Sequence, residues 1–199
     1  MKKTKKRARF SGNFGYNLDA QVKMMMIQKE IVIPKALRAL HGEKARLATL
    51  MLVYLAGLLT AAVVVFEILP TELPVWGVVL AGILFFDIAS GVVANLSAST
   101  NQYYQGKPSL SLVFTLLHIL HPVLFIAILP EAWPYFVFVG VFTLISVRLV
   151  RAWKDVAFQQ NLASLLVVIG SVVSLIFEIP LVIFYGFAPL FMIKLVLGF

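Results

Sequence analysis

The stretch "LATLMLVYLAGLLTAAVVVFEIL", residues 47 to 69, carries no charge until its third residue from the end and stops at Pro70. A helix needs about 20 mostly apolar residues to cross a bilayer, and this segment supplies them without interruption. It makes the chain a membrane protein, and the rest of the sequence repeats the pattern. Of 199 residues, 61% are hydrophobic and 13% charged, too oily for a water-soluble domain. Cysteine is absent, which excludes disulfide frameworks, thiolate metal sites and cysteine nucleophiles.

Outward from that segment, proline and polar clusters punctuate further apolar runs. The predicted fold is an all-α polytopic transmembrane helix bundle of six spans, at about 47–69, 73–96, 110–129, 132–150, 162–178 and 181–199. Residues 162–199 form one apolar stretch nearly twice the length needed to cross once, read as a hairpin turning at "FEIPL". Pro180 there lacks a helical N–H, and Glu178 prefers headgroups to acyl chains. A single long kinked helix is the alternative. Domain organisation follows as a basic arm, 1–46, and one transmembrane bundle, 47–199.

Charge sets the expected orientation. Twelve of the 17 Lys and Arg residues precede Leu47, and the others are Lys107, Arg148, Arg151, Lys154 and Lys194. With six spans all of them fall on, or snorkel to, the side of the N-terminus, while the opposite loops hold Glu72 and Glu131, with Glu67 and Glu178 near span ends. The positive-inside rule then places both termini in the cytoplasm of a bacterial inner membrane, with the first span as the targeting signal and the arm retained. In the arm, "VKMMMIQKEIVIP" and "KALRALHGEKAR" mix basic and apolar residues as short amphipathic helices at an anionic leaflet do. Membrane lipids and anionic headgroups are therefore the expected partners rather than nucleic acid, and a homo-oligomer stays open.

The candidate site grows from Asp87, set in the oily run "FFDIASGVVANLSASTNQYY" at 85–104. Counted back from the end of its span it lies roughly 13 Å deep, where a carboxylate must be paired, protonated or turned to a cavity. Gly91, Ala94 and Asn95 share its face with Ser90 beside them, and the small Ser90, Gly91 and Ala94 also suit close helix packing. The third span brings Ser111, Thr115, His118 and His121 within one arc, with His118 at a depth like that of Asp87. An Asp87–His118 pair is the favoured expectation, with Lys194 as a further potential partner. Pro122 leaves the carbonyl of His118 without its helical donor and is expected to open that turn.

Three functions fit these residues. An enzyme or small-substrate site would use Asp87 and His118 for acid–base chemistry, with Ser90, Asn95, Tyr104, Lys107 and Thr115 holding the substrate or a lipid headgroup. Asp87, His118 and His121 form a candidate divalent-metal set of weakly specific spacing. A small transporter would use Asp87 as its proton or cation site. A structural membrane protein would use the Asp–His pair for packing alone. Tyr103 and Tyr104 are better read as interfacial anchors than as headgroup ligands, and Arg148, Arg151 and Trp153 admit the same two readings. Few ionisable groups occupy the outer half, so a site confined to one leaflet is favoured over a through-path.

Two resemblances follow from the residues. The order Asp87, Gly91, Asn95, Tyr104, His118, His121-Pro122 and the final "IKL" resembles a group of small bacterial six-span inner-membrane proteins with no activity assigned. That likeness implies a membrane bundle in which these positions act as a set, and it leaves the arm unaccounted for. Separately, "DIASGVVAN" at 87–95 resembles the start of the CDP-alcohol phosphotransferase signature, Asp-x-x-Asp-Gly-x-x-Ala-Arg, continued after eight residues by Gly-x-x-x-Asp-x-x-x-Asp. Here Ser90, Asn95, Tyr104, Pro108 and Leu112 replace the second aspartate, the arginine, the glycine and the last two aspartates, so the family's two-metal chemistry lacks three of its four carboxylates.

Overall fold

In a computed structural model, which describes residues 29–105 and 107–198, five helices are long and apolar enough to cross a membrane. They are Leu47–Ile68, Val75–Asn95, Ser109–Ile128, Pro130–Ala152 and Val156–Ser174, termed here the first to fifth spans, and a shorter apolar segment, Val182–Leu197, follows. The molecule is an all-α membrane helix bundle. Leu69 caps the first span just before Pro70, and Thr71 closes the turn, its hydroxyl donating to the carbonyl of Ile68 at 2.6 Å. The first two spans then pack as an antiparallel pair. A Cβ on Gly57 would sit 2.8 Å from the ring of Phe86, and one on Gly82 would sit 2.8 Å from Val65, so small residues set how closely these helices approach.

The second span is the centre of the bundle. Of its most apolar window 56% is buried, against 17% for the first and fifth spans, whose Met51, Leu55, Leu58 and Leu165 remain exposed to lipid. Proline shapes the third span as expected. It is helical over Pro108–Leu117 and Leu120–Ile128, with a turn at His118 and Ile119, and the orphaned carbonyl of His118 accepts instead from the N–H of His121 at 3.1 Å.

The fifth span differs from the sequence expectation at both ends. It begins at Val156, inside the polar stretch assigned to a linker, because the Asp155 carboxylate accepts from the N–H of Phe158 at 2.7 Å and caps the helix. It ends at Ser174, before "FEIPL", and the chain does turn back there as a hairpin. The returning segment is shorter than a full span. It starts as a 3₁₀ turn over Val182–Gly186, continues as α-helix over Phe187–Met192 and widens to a π-helix over Ile193–Leu197. Tyr135 pins its start, donating to the carbonyl of Phe184 at 3.0 Å and accepting from the N–H of Ala188 at 3.1 Å. Phe85, Phe125, Phe136, Phe184 and Phe187, all buried, stack and cross around that anchor with centroids 4.8 to 6.2 Å apart.

The arm corrects the amphipathic-helix expectation. Glu30–Val32 (β1) pairs antiparallel with Lys44–Arg46 (β2), and between them only Arg38–His41 forms α-helix. Ile31 and Val32 are β-branched, and Gly42 takes the left-handed φ of 78° that turns the chain back, its Cα packed against the carbonyl of Ser99 where no side chain fits. Residues 1–28 of the arm, including most of "VKMMMIQKEIVIP", lie outside the described residues.

Candidate functional site

Asp87 projects from the middle of the second span and is met there by groups from two other elements. The Lys194 ammonium, carried by the π-helical turn, donates to Asp87 Oδ2 at 2.6 Å and to the Asp87 backbone carbonyl at 3.0 Å. His121 Nε2 lies 2.8 Å from the same Oδ2, a contact that requires Nε2–H to donate to the carboxylate. His118, the expected partner, stands back at 4.0 Å. Its Nδ1–H donates to the carbonyl of Phe114 at 2.7 Å, and its ring stacks flat on that of His121, with centroids 5.1 Å apart. The break at His118 explains the exchange: the turn offsets the two halves of the third span, so a register counted along one continuous helix assigns the wrong imidazole to Asp87.

The same break divides the expected polar stripe. Ser111 and Thr115 are bound to the fourth span, where the Arg151 guanidinium donates to Ser111 Oγ at 2.5 Å and to Thr115 Oγ1 at 3.4 Å. Thr115 is thus separate from the Asp87 cluster. Ser90 belongs to it, its hydroxyl donating to the Asp87 carbonyl at 3.2 Å. Asn95 is a clamp about two turns beyond Asp87. Its amide donates to the Lys194 carbonyl at 2.9 Å, and the Asn101 amide, turned to donate, reaches the carbonyls of Asn95 and Gly198 at 2.9 Å each.

Gly91 completes the fit, because the aliphatic stem of Lys194 occupies the space a Cβ would need.

Tyr104 and Lys107 lie away from the carboxylate. The Tyr104 hydroxyl donates to the arm carbonyl of Ala39 at 2.8 Å, and burial, with Tyr103 beside it, pushes that phenol up to about 12. The Lys107 ammonium sits 3.9 Å over the ring of Tyr103. The Tyr104 bond and that of Thr100, which donates to the carbonyl of Leu40 at 3.2 Å, hold the arm over the end of the bundle.

Under the arm lies a cleft of about 80 Å³, lined by Asp87, Ser90, Gly91, Asn95 and Lys194 on one side and by His41 and Tyr54 on the other. His41 Nε2 is 3.1 Å from the Tyr54 hydroxyl, and burial lowers the His41 pKa from the ordinary histidine value. The sequence held one signal for this pair, a histidine in a basic amphipathic stretch and a tyrosine near the start of the first span. Their meeting required the arm's hairpin.

Lys194 is 1% exposed, yet the Asp87 side chain keeps 40% of its exposure, and the Oδ1 oxygen accepts no hydrogen bond among the described residues. His121 Nδ1 is also buried without a partner. The proposed metal set does not assemble: no group of three His, Cys, Asp or Glu residues is placed to hold an ion among the described residues. An ammonium occupies the position beside Asp87 that a cation would take, and His118 is committed to a backbone carbonyl. What the arrangement offers chemically is a carboxylate fixed by two donors through one oxygen, on a side chain that borders a small cleft also lined by Leu40, Val53, Phe86 and Phe114. Comparison of the chain with protein-family models, curated proteins and solved structures finds no match.

Proposed function

We propose that Asp87, His121 and Lys194 form a one-sided acid–base site for a small hydrogen-bond donor, a hydroxyl or an amine, including one borne by a lipid headgroup. The observation that carries this reading is the divided state of the Asp87 carboxylate. Oδ2 is held by Lys194 and His121, while the side chain stays open to the cleft beneath the arm. A pair serving packing alone is enclosed and satisfied, because a half-satisfied buried polar network costs stability. In this role Asp87 accepts from the ligand or takes its proton, and Lys194 and His121 stabilise the carboxylate. A water occupies about 30 Å³ of liquid, so the cleft matches one small polar group rather than a whole headgroup.

The aromatic packing around Phe125 supports a site reached from one side. Phe191 contacts the His121 ring at 5.9 Å and Phe187 at 4.9 Å, leading into the cluster of buried phenyl rings. The charge bias supports the cytoplasmic leaflet of a bacterial inner membrane as that side, with both termini cytoplasmic and anionic headgroups against the arm. Transport is the second reading, favoured by the pairing of the buried Lys194 with Asp87, since ionisable groups within spans often move protons or ions.

The test compares wild type with Asp87→Asn/Lys194→Met, which removes both charges together and so keeps the packing. Native mass spectrometry of the purified chain is expected to show a bound amine, hydroxyl compound or lipid that the double variant lacks while unfolding at a similar temperature. Identical spectra for the two proteins would make the cluster a packing device. Proton or cation flux in proteoliposomes, lost in the variant, would establish transport instead.

A further inference from the structure

A second, larger cavity of about 630 Å³ lies between the arm and the loop that follows the second span. Its charged lining is mixed: Lys44, Arg46 and Lys107 face it together with Glu30 and Glu43. Glu30 and Arg46 are direct partners across β1 and β2, yet no ion pair forms among these five, and the ion pairs among the described residues all belong to Asp87. Three cations and two carboxylates thus line one space, with Glu30 directly opposite Arg46 and Glu43 next to Lys44, and each side chain is left to face a ligand.

We propose that this cavity binds the headgroup of a zwitterionic phospholipid with a primary amine, a phosphoethanolamine-type group. The phosphate meets Lys44, Arg46 and Lys107, and the ammonium meets Glu30 and Glu43. A purely anionic headgroup leaves both carboxylates facing like charge. A quaternary ammonium has no N–H to donate to them. The position suits a lipid as well. The cavity includes Thr49 at the start of the first span, and Met51, Leu52 and Leu55 just beyond are 65%, 58% and 51% exposed, a lipid-facing surface for the acyl chains. This inference does not rest on the Asp87 reading, because it uses none of the same side chains.

The test is native mass spectrometry of the full chain in detergent with equal amounts of dioleoyl phosphatidylethanolamine, phosphatidylcholine and phosphatidylglycerol. Charge-assisted hydrogen bonds to two carboxylates predict about tenfold preference for the ethanolamine lipid. Glu30→Gln/Glu43→Gln is expected to abolish that preference over phosphatidylcholine, and Lys44→Gln/Arg46→Gln to weaken all three lipids. All four residues are exposed and the arm is held elsewhere, by Tyr104 and Thr100, so thermal unfolding should stay as in wild type. Equal occupancy by the three lipids, or a preference that survives Glu30→Gln/Glu43→Gln, would overturn the proposal. Soluble O-phosphoethanolamine binding as tightly as the lipid would overturn the lipid assignment.

Discussion

Neither Lys194 nor Asp87 can be removed alone without leaving a charge unpaired inside the bundle. Losing one member of a buried ion pair typically costs 3–5 kcal/mol, and the partial exposure of Asp87 reduces this to about 1–3 kcal/mol. Lys194→Met and Asp87→Asn should each unfold earlier in detergent by that amount. The double variant should recover most of the loss, because no charge then remains buried; additive losses would show that the two side chains act separately. Asp87 was legible in the sequence as the acid set in the middle of an apolar span, away from its ends, and Lys194 as one of its potential partners. The choice of His121 over His118 was not, because it depends on how far the break before Pro122 offsets the two halves of the third span.

Among the elements, the arm departs most from its sequence pattern, since basic and apolar residues at helical spacing here build a small hairpin around one helical turn. Its docking buries His41 against Tyr54 and holds that imidazole below its ordinary pKa. An undocked arm binds a proton at about 6.5 and the docked arm binds it less readily, so docking is strongest above that pH and weakens as pH falls below it. Hydrogen exchange of the Ile33 amide, which donates to the carbonyl of Glu43 within the arm, reports how far the hairpin depends on that docking. After correction for intrinsic rates its protection should drop below about pH 6.5 in wild type and stay level in His41→Phe. An equal drop in both proteins would assign the effect to another group. The last segment shows a second kind of departure: its 3₁₀ start and π-helical end are set by Tyr135 at one end and by Asp87 and Asn95 at the other. Apolar periodicity carries no trace of such anchors.

At the scale of the whole molecule, the alternation of five spans and the returning segment brings Arg46, Lys107, Arg151 and Lys194 toward one end, where Asn95–Lys194 and Arg151–Ser111 tie the elements together. With that end cytoplasmic, cysteines at Glu72 and Glu131 should react with an impermeant thiol reagent in intact cells and one at Glu43 should not. The chain has no native cysteine to confuse the result, and labelling at Glu43 alone would invert the topology. Sequence by itself determined the membrane class, the existence and approximate bounds of the five long spans and the exceptional status of Asp87, while for residues 162–199 it left a hairpin and a long kinked helix both open. Those properties depend on transfer free energy summed along the chain, which is local and additive. Tertiary structure alone decided that His121 and Lys194 share one carboxylate oxygen, that Gly91 yields its space to a lysine stem, and that the arm folds over the cleft. These outcomes turn on offsets of a fraction of a helical turn between segments as distant as residues 41, 87, 121 and 194. Bond distances of 2.6 to 3.1 Å are sensitive to such offsets, and composition and spacing are not.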